Sequence, residues 1–478
     1  MAETKKGVDF KHPEYDGNVD SWKFVNNICD SKDVKQYINV LNIQDNSREN
    51  GARNEQFKKR AIFYAIAGYT SRGLVGKAFS KPPELDVVAQ LEYIKTNVDG
   101  AGTGIDQQAQ DVVRDVSRIG RSGLMVDFPK TGGELSVAQL ASGGIAATIT
   151  KFDAKQIINW KTKSIGSRIV LCKVVLAYNK DIQGEDGFSF KTVPVRLELK
   201  LEYVTDREVY STVTWERLKV NGEETWVAGE EIFPVDSAGS TLSEIPFVFV
   251  GSESNTTKID PAPMHDLCVI NEGHLNNSAI YEDAVYQVGQ PQVWMSGITQ
   301  THIDLMKTND MYFGSRTVMG VPPGEKLGIV QVEPDTLAKE AMADKVQTMI
   351  GLGAMFITPG SANKTATQSA GELLAQHSVL SLIVSNVTDA YEKALEWVAL
   401  FMGTDPKQTV YTLNQDFVSP TADANMLREI IAGFISGAIP AADFLRWQQR
   451  HNIIDPAKTI EEYQDELGQG INMPDLDA

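Results

Sequence analysis

Cysteine is scarce in this chain. Cys29, Cys172 and Cys268 are the only three in 478 residues, and no two stand at a paired spacing. That usage predicts reduced, structural thiols in an intracellular setting. Long apolar runs are missing too, since nothing approaches the roughly eighteen consecutive apolar residues of a membrane span. The opening MAETKKGVDF lacks the apolar centre of a secretory signal. No membrane partner is expected. Positive charge is also short: 45 Lys and Arg face 63 Asp and Glu, for a formal charge of -18. Proteins that grip nucleic acid draw much of their affinity from cations on phosphates. An extensive DNA-gripping surface is therefore disfavoured, whereas DNA passing nearby without adhering is not.

Catalytic signatures are absent as well. Residues 355–374, MFITPGSANKTATQSAGELL, have the composition of a phosphate cradle but fail as one. Asn363 precedes Lys364-Thr365, and Thr358 stands where the first glycine of G-x-x-x-x-G-K-[ST] belongs. DGAGTGID (99–106) lacks the third glycine of a dinucleotide turn and follows a helix rather than a strand. GRSGLM has Leu124 where a nucleophile elbow needs glycine. Six histidines include no H-E-x-x-H, and His265 and His274, nine apart, fall on opposite sides of a helix. Acidic pairs such as Asp111/Asp115 and Glu461/Glu462 read as solvated helix faces. No catalytic residue, metal or cofactor is expected.

What is present is a soluble composition, 42% hydrophobic and 23% charged, in a chain long enough for several modules. Residues 1–50 are polar, with one apolar patch at Trp22, Phe24, Val25 and Ile28. A helical pattern runs over 55–79, interrupted by Gly73 and Gly76 and stopped at Lys81-Pro82-Pro83. Further helices are predicted at 87–97 and from Gly104 to Gly120, followed by a short buried strand, GLMVDF. From 165 to 250, β-branched and alternating runs predict an antiparallel sheet, with Asn221-Gly222 as a tight hairpin. Helix returns at Pro263, carrying Leu267, Ile270 and His274 on one side, and ends before Gly289-Gln290-Pro291. Short strands occupy 291–334. A second helix opens at Pro334-Asp335, with Asp335 as its cap. A long helix over about 367–402 follows, with Leu373, Leu380, Ile383, Val387, Tyr391, Ala394, Val398 and Phe401 on one side. Acidic short helices close the chain. The order is α, then β, then helix–small β unit–helix–loop–long helix, then a helical tail, which is an α+β architecture.

Five stretches carry a family resemblance: KKRAIFYAIAGYTSRGLVGKAFSKPPEL (58–85), DGAGTGIDQQAQDVV (99–113), GRSGLMVDFP (120–129), QIINW (156–160) and PAPMHDLCVINEGHLNNSAIYEDAVYQVGQPQVWMSG (261–297). Taken in this order, the chain resembles the portal proteins of tailed bacteriophages, in a subgroup often known only as a domain of unknown function. The resemblance runs from about 55 to 460. It implies a dodecameric ring at one capsid vertex, through which double-stranded DNA is packaged and later ejected. Residues 1–54 would be an N-terminal arm and 55–262 the wing. Residues 263–286 and 335–354 would be two stem helices flanking a clip at 287–334. A tunnel loop at 355–366, a long wing helix at 367–410 and a crown at 411–478 would complete the subunit.

The resemblance further implies partners: a terminase, a head–tail adaptor, the major capsid protein and a scaffolding protein. The location would be the virion, after assembly in the host cytoplasm. In the tunnel loop, Ser361, Asn363, Lys364 and Thr365 would face DNA, with Lys364 as a mobile point charge. The apolar sides of the stem, Leu267 and Ile270 with Val346 and Met349, would pack against neighbouring subunits, because two helices and a small clip enclose no core. The competing readings are another head–tail connector or minor capsid protein, and an uncharacterised hydrolase.

Overall fold

The computed structural model describes residues 7–40, 47–128, 146–184, 186–204, 207–220, 223–289, 336–357 and 378–415, most of 292–304, 326–330 and short pieces of 417–459. The chain forms two compact units, Met1–Gln415 and Asp416–Ala478.

The first unit begins with α1 (Pro13–Cys29), started by Pro13 at its first position, with the His12 ring accepting from the Glu14 N–H. Its polar sequence conceals a core helix, since Trp22, Val25 and Ile28 are fully buried. The predicted helix over 55–79 divides into α2 (Arg48–Arg60) and α3 (Ile66–Ala78), with extended chain between them. The predicted 87–97 helix is a 3-10 segment, Ala89–Lys95. A short strand, β1 (Glu84–Asp86), precedes it. α4 (Ile105–Ile119) ends at Gly120, whose φ of 72° is the left-handed cap that glycine adopts without strain.

A three-stranded antiparallel sheet has β2 (Arg121–Asp127) at its centre, between β3 (Thr148–Asp153) and β9 (Phe247–Gly251). β2 is buried on both faces, which is why GLMV reads as a continuous apolar run. The predicted sheet is a five-stranded meander: β4 (Ile157–Ile165), β5 (Arg168–Gln183), β6 (Phe190–Val204), β7 (Arg207–Val220) and β8 (Glu223–Ile232). Val220 pairs with Glu223 on either side of Asn221-Gly222, which lie outside the described residues.

Beyond the sheets come α5 (His265–Val288), the strand pair β10 (Gln292–Met295) and β11 (Leu327–Val330), α6 (Leu337–Met355) and α7 (Val379–Met402). β12 (Val410–Thr412) then pairs antiparallel with β1. The cap predicted at Asp335 lies outside the described residues.

α7 is the central helix, packed against β9, β2 and α4 and buried on nearly all sides. Its internal polar groups are paired, as burial requires. Tyr391 donates to the Gln108 side chain at 3.0 Å, and Gln108 donates to the Ile149 carbonyl at 2.7 Å. Asn386 donates to the Gly251 carbonyl at 2.9 Å. The helix starts at Val379, where Ser378 caps the Ser381 N–H, rather than at about 367, so it is about 36 Å long. In the second unit, Phe434 and Phe444 stack at 4.4 Å and Asp443 pairs with Arg446. Residues 411–415, predicted to open the crown, belong to the first unit.

Candidate functional site

α5 carries its buried residues at helical spacing: Leu267, Cys268, Asn271, His274, Leu275, Ser278 and Ala279. This side packs on α1, α2, α3 and α6. Three polar side chains on α5 hold backbone groups that lie outside the helices or in the unpaired first turn of α3. Asn271 accepts from the Ala67 N–H at 3.0 Å and donates to the Tyr64 carbonyl at 2.9 Å. Ser278 accepts from the Ile62 N–H at 3.1 Å, and Asn276 accepts from the Asn39 N–H at 2.8 Å. The bonds to Ile62, Tyr64 and Ala67 replace the helical ones that the chain gives up between α2 and α3. Arg60 closes the same face, paired with Asp283 at 2.7 Å and lying 3.8 Å over the Tyr286 ring.

The helix pair expected to be a stem is therefore α5 and α6, which pack along each other and are linked through β10 and β11. One expectation fails here. Leu267 is 1% exposed and Met349 is 0% exposed within the single chain, so neither has surface left for a neighbour. The cover comes from the same chain, since α1 and α3 pack on α5 and α3 also packs on α6. Ile270 and Val346 are half-buried and keep part of their surface. The apolar residues left open are others: Val269 and Ile280 on α5, and Leu337, Ile350 and Met355 on α6.

The expected tunnel-loop residues Ser361, Asn363, Lys364 and Thr365 lie outside the described residues, as does Leu373. The structure does fix both ends of their segment. The Leu380 N–H donates to the Phe356 carbonyl at 3.1 Å, joining the C-terminal end of α6 to the first turn of α7. Unpaired carbonyls at one helix end thus meet unpaired N–H groups at the other. The two helices enter and leave the intervening segment at a single closed base.

Several polar clusters escaped sequence reading because their members are distant in the chain. Lys151 pairs with Asp115 at 2.6 Å and Asp153 at 2.9 Å. Burial pushes the Asp115 carboxyl up to about 6, against the attraction of Lys151. Asp115 is thus not the solvated acid its sequence suggested, whereas Asp111 pairs with Arg114 on the surface. Arg121 is 1% exposed and donates to the carbonyls of Thr256, Thr257 and Lys258, with Phe249 beneath its guanidinium at 3.9 Å. Burial pulls it down to about 9, so it stays charged at neutral pH. Cys29 and Cys268 place their sulfurs 3.8 Å apart between α1 and α5, and their hydrogen bond together with burial raises the Cys268 thiol. His274 is buried against Tyr64, well apart from His265. Among the described residues no cluster of three or more His, Cys, Asp or Glu is placed to hold a metal ion. No helix among them is long and apolar enough to cross a membrane.

The fold defined by these elements is a mixed α+β unit around a central helix, with α5 and α6 paired and linked through a two-stranded sheet. The family model described as "Domain of unknown function (DUF4055)" matches residues 263–402, the span from α5 to the end of α7. No curated protein matches the chain. A solved structure described as "Neck of native GTA particle computed with C12 symmetry" is similar at 12% identity and a TM-score of 0.40. The similarity covers 79% of this chain and 88% of that one.

Proposed function

We propose that the chain is one subunit of a portal: a ring at a capsid vertex through which double-stranded DNA enters and leaves. The observation that carries this reading is the α5–β10/β11–α6–α7 arrangement, with the segment between α6 and α7 leaving a closed base. It supports the division into stem, clip, tunnel segment and long helix that the sequence resemblance implies. α5 and α6, at 265 to 288 and 337 to 355, are the helices this reading takes as the stem.

In this reading the exposed apolar residues of α5 and α6, joined by Ile270 and Val346, meet the next subunit in the ring. A heterologous contact of that kind closes when its rotation divides the circle, here into a dodecamer. The acidic balance keeps a polyanion sliding rather than adhering. Ser361, Asn363, Lys364 and Thr365 supply brief phosphate contacts at the axis. Terminase, adaptor, scaffolding and major capsid proteins dock on the outer surfaces, and the energy for packaging comes from the terminase. Negative-stain images of the purified full-length protein test the proposal. Closed rings with a central hole are expected. A chain that remains monomeric at every concentration overturns the reading.

A further inference from the structure

Several described cations of the first unit lie beside a carboxylate, among them Arg60, Arg118, Lys151, Lys173, Arg196, Lys200 and Lys393. Three others share one cleft. A cleft of about 520 Å³ between the 3-10 turn Val34–Tyr37 and the C-terminal half of α2 is lined by Lys35, Gln36, Glu55, Gln56, Lys58 and Lys59. None of its three lysines has a carboxylate within ion-pair distance among the described residues. Lys35 instead donates to the Lys59 carbonyl at 2.8 Å, which fixes it across the end of α2. The helix C-terminus carries about half a negative charge, so three lysines against Glu55 leave a local surplus of about +1.5. That surplus stands on a chain of net charge -18.

We propose that this cleft binds the phosphodiester backbone of DNA, at a site separate from the segment between α6 and α7. Its chemistry selects phosphate over a protein partner. Protein interfaces take their energy from aromatic and aliphatic anchors seated in pockets, and no apolar side chain lines the cleft. Backbone recognition needs only cations and hydrogen-bond donors that position the chain without reading bases. Lysine ammoniums and the two glutamine amides provide these. The volume suits a short stretch of backbone, and binding here is independent of sequence. The portal reading explains why DNA would be at hand, but the site can be tested without a ring.

The experiment is fluorescence anisotropy of a short labelled DNA duplex with the full-length protein, across a series of salt concentrations. The wild type is compared with Lys35→Ala/Lys58→Ala/Lys59→Ala and with Glu55→Gln. Three lost phosphate contacts should make the salt slope of log affinity shallower by about 2.7, so a fourfold rise in salt costs the wild type about 40-fold more affinity than the triple variant. Glu55→Gln should bind more tightly than wild type, and it keeps the test decisive should the triple variant fail to fold. Equal slopes for wild type and a folded triple variant, or no tightening in Glu55→Gln, overturn the proposal. So does tighter binding of a polyglutamate peptide than of a duplex of equal charge, which would assign the cleft to an acidic protein segment. Rings that form without cleft-dependent binding refute this site alone. Binding without rings refutes the portal reading alone.

Discussion

Met349 and Ile350 are adjacent on α6 and about 100° apart around its axis, and the ring proposal gives them different jobs. Met349 is wholly enclosed by its own chain, whereas Ile350 is 56% exposed. Replacing each by aspartate should therefore separate folding from assembly. In Met349→Asp, loss of the buried thioether side chain costs about 2–5 kcal/mol before the burial of a charge is counted. Against a total stability of about 5–15 kcal/mol for a typical domain, that variant should misfold or melt early. In Ile350→Asp the monomer loses little, about 0.5 kcal/mol or less for a surface change.

In a ring, however, the open part of Ile350 is buried by the neighbour. Full burial of such a side chain is worth about 1.5–3 kcal/mol, so its exposed share contributes about 1–1.5 kcal/mol at each interface. Aspartate removes this and adds a carboxylate to desolvate, and the penalty repeats at every contact around the ring. Thermal melting and mass photometry read the two effects independently. Ile350→Asp should melt like wild type and stay below ring mass; Met349→Asp should melt early. Wild-type rings from Ile350→Asp would refute the placement of this face at a subunit contact. Val346, half-buried one turn earlier, should show both defects when changed to aspartate.

Three further outcomes are expected. Asp115, raised to about 6 from an unfolded value near 3.9, holds its proton longer in the folded state, so its contribution is full below about pH 4 and is lost as pH rises through 6. The effect is at most about 3 kcal/mol, and in Asp115→Asn denaturation curves taken from pH 4 to 7 should lack that decline. Arg121→Leu should destabilise the first unit by about 3–5 kcal/mol in chemical denaturation, because three loop carbonyls lose a charged donor; an unchanged midpoint would show that the 256–258 loop is held otherwise. Lys364→Glu should assemble normally yet package or retain DNA poorly in particles; filling at the normal rate would remove this lysine from the channel.

Much of the helical order was legible because periodicity is local. α4, α5 and α6 each show apolar residues at three- and four-residue spacing, and glycine or proline marks their ends. The meander was legible for the same reason, from β-branched alternation and one Asn-Gly turn. The failures share a different cause. The pattern over 55–79 favours one helix, but the chain opens between α2 and α3 because Asn271 and Ser278, some two hundred residues away, bond the released backbone. α1 was not predicted as a helix because most of its residues are polar, although Trp22, Val25 and Ile28 form one buried stripe. Asp115 looked solvated until β3 placed Lys151 against it. The contact between Cys29 and Cys268 spans 239 positions, which no spacing rule anticipates.

The polar residues of α5 also bear on how a ring could be built without losing the fold. Apolar packing alone lets a helix rotate or slide by a turn at modest cost, because many registers bury similar area. Asn271, Ser278 and Asn276 remove that freedom, since each bonds particular backbone groups and a shift would leave those of Ala67, Tyr64 and Ile62 unpaired. Arg60, clamped between Asp283 and Tyr286, pins the far end. With one side of α5 fixed in rotation and height, its open side is fixed as well, and Val269 and Ile280 present a constant surface. A closed ring demands that constancy, because a small angular error repeated at every interface leaves a gap or a spiral. In the proposed ring these polar side chains of α5 would set the geometry of assembly although none of them needs to touch another subunit.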